Sequence, residues 1–478
     1  MIKNFKWLLL VSLTFIACDS TEEVVKDLNS TDGSPLSAGS ADFSKYVALG
    51  DSFAAGFSDN ALFIAGQKNS YPNIMATQFA LVGGGNFANP LMADNIGGFS
   101  LGGAQIPQFG PRLFLAPGNV PTPVSGISST DITTKLTGQF NNMGVPGAKA
   151  TQLDLVGFGS SLGNPYFARF ASAPIATVVD DAIAQNPTFF SLWIGGNDVL
   201  GYATSGGISS NPITPEATFN TAYNSLITKL TAGGRKGVIA NLPYVNTLPY
   251  FTTVPFNPVP LSSAAAAQIN TGYTAYNNGL LFAQANNLLS ASEVAQRTIS
   301  FTASTTNRVV MVDEYLTNLT SFGIPSLRQA TNEDLIVLPA RGFIGTIVGG
   351  NPTQVNGVTV PLADNWVLSK NEINEIKIAT DAYNITIQSA ASTNGLALFD
   401  AKTVMTSLST TGIVQNGYTL TSTYVTGNSF SLDGVHPSPK GYALIANKFL
   451  EAINVTYGSN FKGVNLGQYQ ILYPSSLQ

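Results

Sequence analysis

The chain reads as an α/β protein, a three-layer α/β/α sandwich around a mostly parallel sheet of about five strands. Three observations predict it. Short, wholly apolar runs recur along the chain, which suits strands buried on both faces. Segments with helical spacing lie between them, and strands alternating with helices imply a parallel sheet covered on each side. Charged residues are only 10% of the 478, against roughly 25% in an average globular protein, so Gly, Asn, Thr and Ser supply the polar positions.

The elements follow in chain order. Residues 1–6 are short and basic, and residues 7–17 (W-L-L-L-V-S-L-T-F-I-A) are apolar. That is the pattern of a signal peptide over 1–17, and the run is shorter than the roughly 20 residues that span a bilayer. Residues 18–43 are rich in Ser, Thr, Gly and Asp and read as a flexible tether. Residues 44–460 form the folded domain. Its first strand is 46–49, ending at Gly50. A Gly/Pro-rich stretch near 58–136 reads as an insertion lying over the body. A helix is expected over 175–185, stopped by Asn186-Pro187, then a strand over 189–194 (F-F-S-L-W-I). Helix 215–230 leads to strand 237–242, and a long helix covers 264–288. Residues 309–312 form a short strand, and a second insertion lies near 314–369. Helix 371–391, strand 396–399 and helix 439–453 complete the domain, and 461–478 is a tail. Ala275-Tyr276-Asn277 and Ala382-Tyr383-Asn384 repeat one short string in two helix–strand units, without further sign of duplication.

Net charge is −5, with no cluster of Lys or Arg, which argues against nucleic acid as a partner. One histidine, His436, and one cysteine, Cys18, are present. Sites built from several His or Cys ligands are thereby excluded, and so is an internal disulfide. Cys18, directly after Phe15-Ile16-Ala17, resembles the lipobox cysteine of bacterial lipoproteins, with Phe15 where Leu is usual. The resemblance implies acylation of Cys18 and tethering in the cell envelope as an outer-membrane lipoprotein, periplasmic or surface-exposed.

A single histidine acquires meaning from its neighbours. His436 lies in Ser431-Leu432-Asp433-Gly434-Val435-His436-Pro437-Ser438-Pro439, a loop stiffened by two prolines before a helix. Asp433, three residues earlier, is placed to accept the ring N–H, which leaves the other nitrogen free as a base. A nucleophile for that base follows the first strand, in Gly50-Asp51-Ser52-Phe53. Open parallel sheets gather their sites at such strand ends. Two further serines sit in G-x-S-x-G settings, Ser100 and Ser161. Neither has the strand before and helix after that a nucleophile elbow requires.

Four segments now stand in order: Gly50-Asp51-Ser52, Asn142-Met143-Gly144-Val145-Pro146-Gly147, Gly195-Gly196-Asn197-Asp198 and Asp433-Gly434-Val435-His436. Together they resemble the four blocks of the GDSL, or SGNH, hydrolases. The resemblance implies an extracytoplasmic serine ester hydrolase with a flavodoxin-like sheet. Ser52 is the implied nucleophile, His436 its base and Asp433 the residue orienting the base. The Ser52 N–H, the Gly144 N–H and the Asn197 side-chain amide are implied donors to the oxyanion. Asp51 and Asp198 are expected to hold loops. The chemistry needs no cofactor and no metal.

The chain departs from the family in length between the first two blocks and between the last two. Such long inserted segments usually serve function or are disordered. Asn241-Leu242-Pro243-Tyr244 also resembles a segment that follows the fourth strand in larger members. The implied substrate is a carboxylic ester, either of a lipid acyl chain, as for a lipase, or of an acetylated glycan. The alternative is a catalytically inactive surface binding lipoprotein on the same fold.

Overall fold

A computed structural model describes residues 26–208 and 210–477. The signal peptide expected over 1–17 and Cys18 lie outside the described residues. The sheet has five strands, all parallel: β1 (Tyr46–Gly50), β2 (Asn142–Gly144), β3 (Phe189–Trp193), β4 (Lys236–Ala240) and β5 (Ala397–Phe399). Their spatial order is 5-4-3-1-2. The main helices are α1 (Ser52–Ala55), α2 (Tyr71–Ala80), α3 (Val178–Ile183), α4 (Asn197–Thr204), α5 (Glu216–Thr231), α6 (Lys370–Asn394), α7 (Ala401–Thr410) and α8 (Pro439–Tyr457). α2 and α8 pack together on one side of the sheet, and α3, α5 and α6 on the other. The three-layer α/β sandwich read from the sequence is the observed fold.

The central strands explain themselves. Every residue of β1 and β3 is buried, as both faces of a parallel sheet covered by helices require. The one hydroxyl in β3, that of Ser191, is satisfied by the Tyr46 hydroxyl at 2.7 Å. Tyr457 at the end of α8 donates to the Gly237 carbonyl at 2.7 Å and so fixes the helix along β4.

Four expectations are corrected. Residues 309–312 do not join the central sheet; Val310–Val312 pairs antiparallel with Leu327–Gln329. The fifth strand is β2, three residues long and too short to show a pattern. The stretch 58–136 is not all insertion, because α2 belongs to the outer layer. Finally, the tether and the tail are partly docked. Thr31 donates to the Asn460 carbonyl at 2.9 Å, and Lys462 to the Asn29 carbonyl at 2.8 Å. Phe43 stacks on Phe79 with ring centres 4.1 Å apart, and Tyr473 is buried against Phe63. Ser and Gly content hid these few apolar anchors. Among the described residues no helix is long and apolar enough to cross a membrane.

Candidate active site

The strand order places a crevice where the chain leaves β1 and β3 in opposite directions, the point at which open α/β sheets bind ligands. Ser52 stands two residues past the end of β1, as the first residue of α1. Asp51 caps that turn by accepting from the Phe53 N–H at 3.0 Å. Asn197 opens α4 beyond β3. The bend between them is made at Gly195, whose φ of +119° favours glycine, and where a Cβ would meet Leu242 and Phe219 at 2.9 Å.

His436 reaches the same crevice from the far end of the sequence. The loop 431–436 closes on itself, with the Ser431 N–H donating to the His436 carbonyl at 2.8 Å. Ser438 then caps α8 by accepting from the Gly441 N–H at 3.0 Å, with Pro439 at the first helical position. The result is a continuous chain of bonds. His436 Nε2 lies 2.8 Å from Ser52 Oγ, and His436 Nδ1 lies 2.9 Å from Asp433 Oδ2. Asp433 Oδ1 accepts from the N–H groups of Val435 and His436, both at 2.8 Å. Burial alone would raise the Asp433 carboxyl, but His436 and these N–H donors outweigh it and bring it down to about 2. Asp433 is therefore an anion at neutral pH, and it holds the imidazole in one tautomer.

The expected oxyanion donors are not all where the sequence puts them. The Gly144 N–H is spent on Asn142 Oδ1 at 3.0 Å, and Gly144 is buried against the backbone of Ala54 and Ala55. It has no donor to offer. Gly147, three residues on, does. Val145-Pro146-Gly147-Ala148 is a turn closed by the Ala148 N–H on the Val145 carbonyl at 3.1 Å, with Gly147 at φ +79°. Pro followed by a positive-φ glycine is the type II signature. Such a turn leaves the glycine N–H unpaired, and among the described residues Gly147 makes no backbone hydrogen bond through it. The Asn197 amide lies alongside, donating to the Ala148 carbonyl at 3.0 Å and to Asp51 Oδ2 at 3.4 Å. The Ser52 N–H, at the start of a helical turn, has no intrahelical partner. Asp198 holds the same loop by accepting from the Ala150 N–H at 2.9 Å.

A second support went unseen in the sequence. Ser58 and Ala61 exchange both N–H···O bonds, at 3.1 and 3.0 Å. Asp59 and Asn60 between them have φ of +50° and +66°, the geometry of a type I′ hairpin turn. The Asn60 N–H donates to Asp433 Oδ2 at 3.0 Å, and Asp59 Oδ1 accepts from the Leu432 N–H at 2.9 Å. Asp59 is buried, and burial pushes its carboxyl up to about 7. The dipeptide Asp59-Asn60 is a turn signal that could have marked it.

Beside this machinery lies a narrow pocket of ≈ 80 Å³ with almost wholly apolar walls. Phe53 and Gly196 line it next to Ser52 and Asn197. Met405 and Leu408 of α7 and Ile445 of α8 line it further away. Leu242 and Pro243, from the segment singled out after β4, form part of its wall. The two rival serines stand elsewhere. Ser100 lies in the two-residue strand Ser100–Leu101 of a hairpin, and Ser161 lies in an exposed turn.

No family model and no curated protein matches this chain. Among solved structures it is similar to an extracellular lipase from Streptomyces rimosus, at a TM-score of 0.31 and 11% identity, over 86% of this chain and 98% of that one. A likeness that distant carries no argument. The functional reading stands on the geometry of the crevice.

Proposed function

We propose that the chain is a serine hydrolase of carboxylic esters. The observation that carries this is the bonded series Ser52–His436–Asp433 at the switch point of the sheet. Ser52 Oγ attacks the ester carbonyl while His436 Nε2 takes its proton. The tetrahedral intermediate places its oxyanion toward the Ser52 and Gly147 N–H groups and the Asn197 amide. His436 returns the proton to the departing alcohol, leaving an acyl group on Ser52. Water, activated by His436, then releases the acid and restores the serine. Asp433 stabilises the imidazolium in both halves.

The apolar pocket favours an acyl ester over an acetylated sugar. Each methylene buried gains about 0.8 kcal/mol, so a chain reaching Met405 outcompetes acetate, whereas a glycan would find few polar partners there. The test is hydrolysis of p-nitrophenyl esters from acetate to palmitate by the protein lacking residues 1–18. Ser52→Ala is expected to lower the rate by about 10⁴-fold or more. Met405→Trp, which fills the pocket, is expected to shift the preferred chain shorter while acetate hydrolysis persists. Undiminished activity in Ser52→Ala would refute the nucleophile, and an unchanged chain-length profile in Met405→Trp would refute the acyl pocket.

A further inference from the structure

Away from the crevice, three carboxylates converge from three parts of the chain. Glu314 follows the strand Val310–Val312, Asp364 opens the turn Asp364–Trp366, and Glu372 lies in the first turn of α6. One oxygen from each lies within 4.8 Å of the others. Among the described residues none of the three takes part in a salt bridge. Arg328 is committed elsewhere, to Asp313 at 2.5 Å and Asp334 at 2.6 Å. Glu375, one turn further along α6, is occupied by the hydroxyls of Tyr202 and Tyr315 at 2.7 and 2.8 Å.

Glu372 supplies the decisive detail. It is fully buried, and its Oε2 has a structural task, accepting from the Ser369 N–H at 2.6 Å as the return half of a capping box. Its Oε1 is buried with no hydrogen-bond partner. Gly207 lies so close that a Cβ there would fall 2.0 Å from that oxygen, so only glycine fits between α4 and Glu372. A helix cap explains one oxygen of Glu372 and leaves the other buried without a donor, on a carboxylate that lies beside two more acids with no salt-bridge partner among the described residues. A buried acceptor left bare in this way is costly.

We propose that Glu314, Asp364 and Glu372 bind a hard divalent cation, with Ca²⁺ the best match. All three donors are carboxylate oxygens, which suit Ca²⁺ or Mg²⁺ over softer metals. Oxygens within 4.8 Å of one another can share one ion, and three protein carboxylates suit Ca²⁺, which takes about six to eight oxygens in flexible geometry, better than Mg²⁺, which keeps several waters and is held by one or two carboxylates. Water completes the coordination. The ion joins the 314–369 segment to the start of α6 and to the Gly206–Gly207 bend after α4, the helix whose first residue is Asn197. Its task is to fix that inserted segment, and it takes no part in the ester chemistry.

The test uses the full chain, solubilised, stripped with chelator and titrated with Ca²⁺ by calorimetry, with Tb³⁺ luminescence as a second readout. One saturable site is expected, together with a higher Tm in Ca²⁺ than in chelator. Asp364→Asn is expected to weaken binding at least tenfold and to abolish the Tm difference. Glu314→Gln, at an exposed residue, serves if Asp364→Asn fails to fold, and Glu333→Gln at an exposed acid outside the cluster should bind as the parent does. Absence of saturable binding at millimolar Ca²⁺, or parent-like binding by the Asp364 and Glu314 variants, overturns the proposal. A variant more stable than the parent in chelator and in Ca²⁺ alike also overturns it, because the three acids then merely share protons.

Discussion

Asn197 does two things with one amide. It ties down the Ala148 carbonyl at 3.0 Å, and its contact with Asp51 Oδ2 at 3.4 Å is long enough to yield to a better acceptor. In the proposed reaction an oxyanion is that acceptor. Asn197→Ala is therefore expected to lower kcat by about 10²–10³-fold with little change in KM, because the donor acts on charge that develops only in the transition state. Steady-state kinetics on p-nitrophenyl butyrate decide it, and a loss confined to KM would assign Asn197 to ground-state binding instead. That Ser52, Asp433 and His436 come together was foreseeable in the sequence, because a unique histidine and a serine at a strand end leave few candidates for such a series. Gly147 was not. It shares a hexapeptide with Gly144, and which of the two has a free N–H depends on where the Asn142 side chain turns, a tertiary fact.

At the scale of elements, the type I′ turn at Ser58–Ala61 fixes how the His436 loop meets α1. Its Asp59 carries a buried acid whose value in the fold, about 7, stands above the ordinary 3.8. The folded chain thus holds this proton more tightly than the unfolded chain does. The sign follows directly: stability falls as pH rises from 3.8 toward about 7, and the full cost is present above that window. Asp59→Asn keeps an acceptor for the Leu432 N–H and tolerates positive φ. It is expected to stabilise the protein at pH 8 by on the order of 1–2 kcal/mol, with the gain vanishing near pH 4. Denaturant unfolding at the two pH values checks this; equal gains at both would mean that packing, not charge, is responsible. The central strands β1, β3, β4 and β5 could be read from their apolar runs. β2 could not, being three residues held by its neighbour's ladder, and α2 could not, since Tyr71-Pro72-Asn73 opens it without a clear apolar stripe. Residues 309–312 carry a strand pattern that local pairing with Leu327–Gln329 satisfies away from the sheet.

For the whole molecule, the order of strands and helices was legible because alternation leaves few topologies open. The inserted segments were legible only as lengths, since their short hairpins depend on contacts made with the body. One global feature reaches further. The segment after Lys26 is pinned to the distal end of α8, around Asn460 and Lys462, while Ser52 and His436 lie at that helix's other end, beside its cap. α8 runs from Pro439 to Tyr457, close to 30 Å at about 1.5 Å per residue. On the proposal that Cys18 carries a lipid, the anchor attaches at the end of the molecule opposite the crevice. The crevice would then open away from that bilayer. Acylated protein in one vesicle population should accordingly cleave a fluorogenic ester offered on a second population or in solution faster than the same ester embedded beneath it. A preference for the lipid underfoot would show that the molecule lies down. A catalyst so mounted would act on esters that reach the cell from outside rather than on the membrane that holds it.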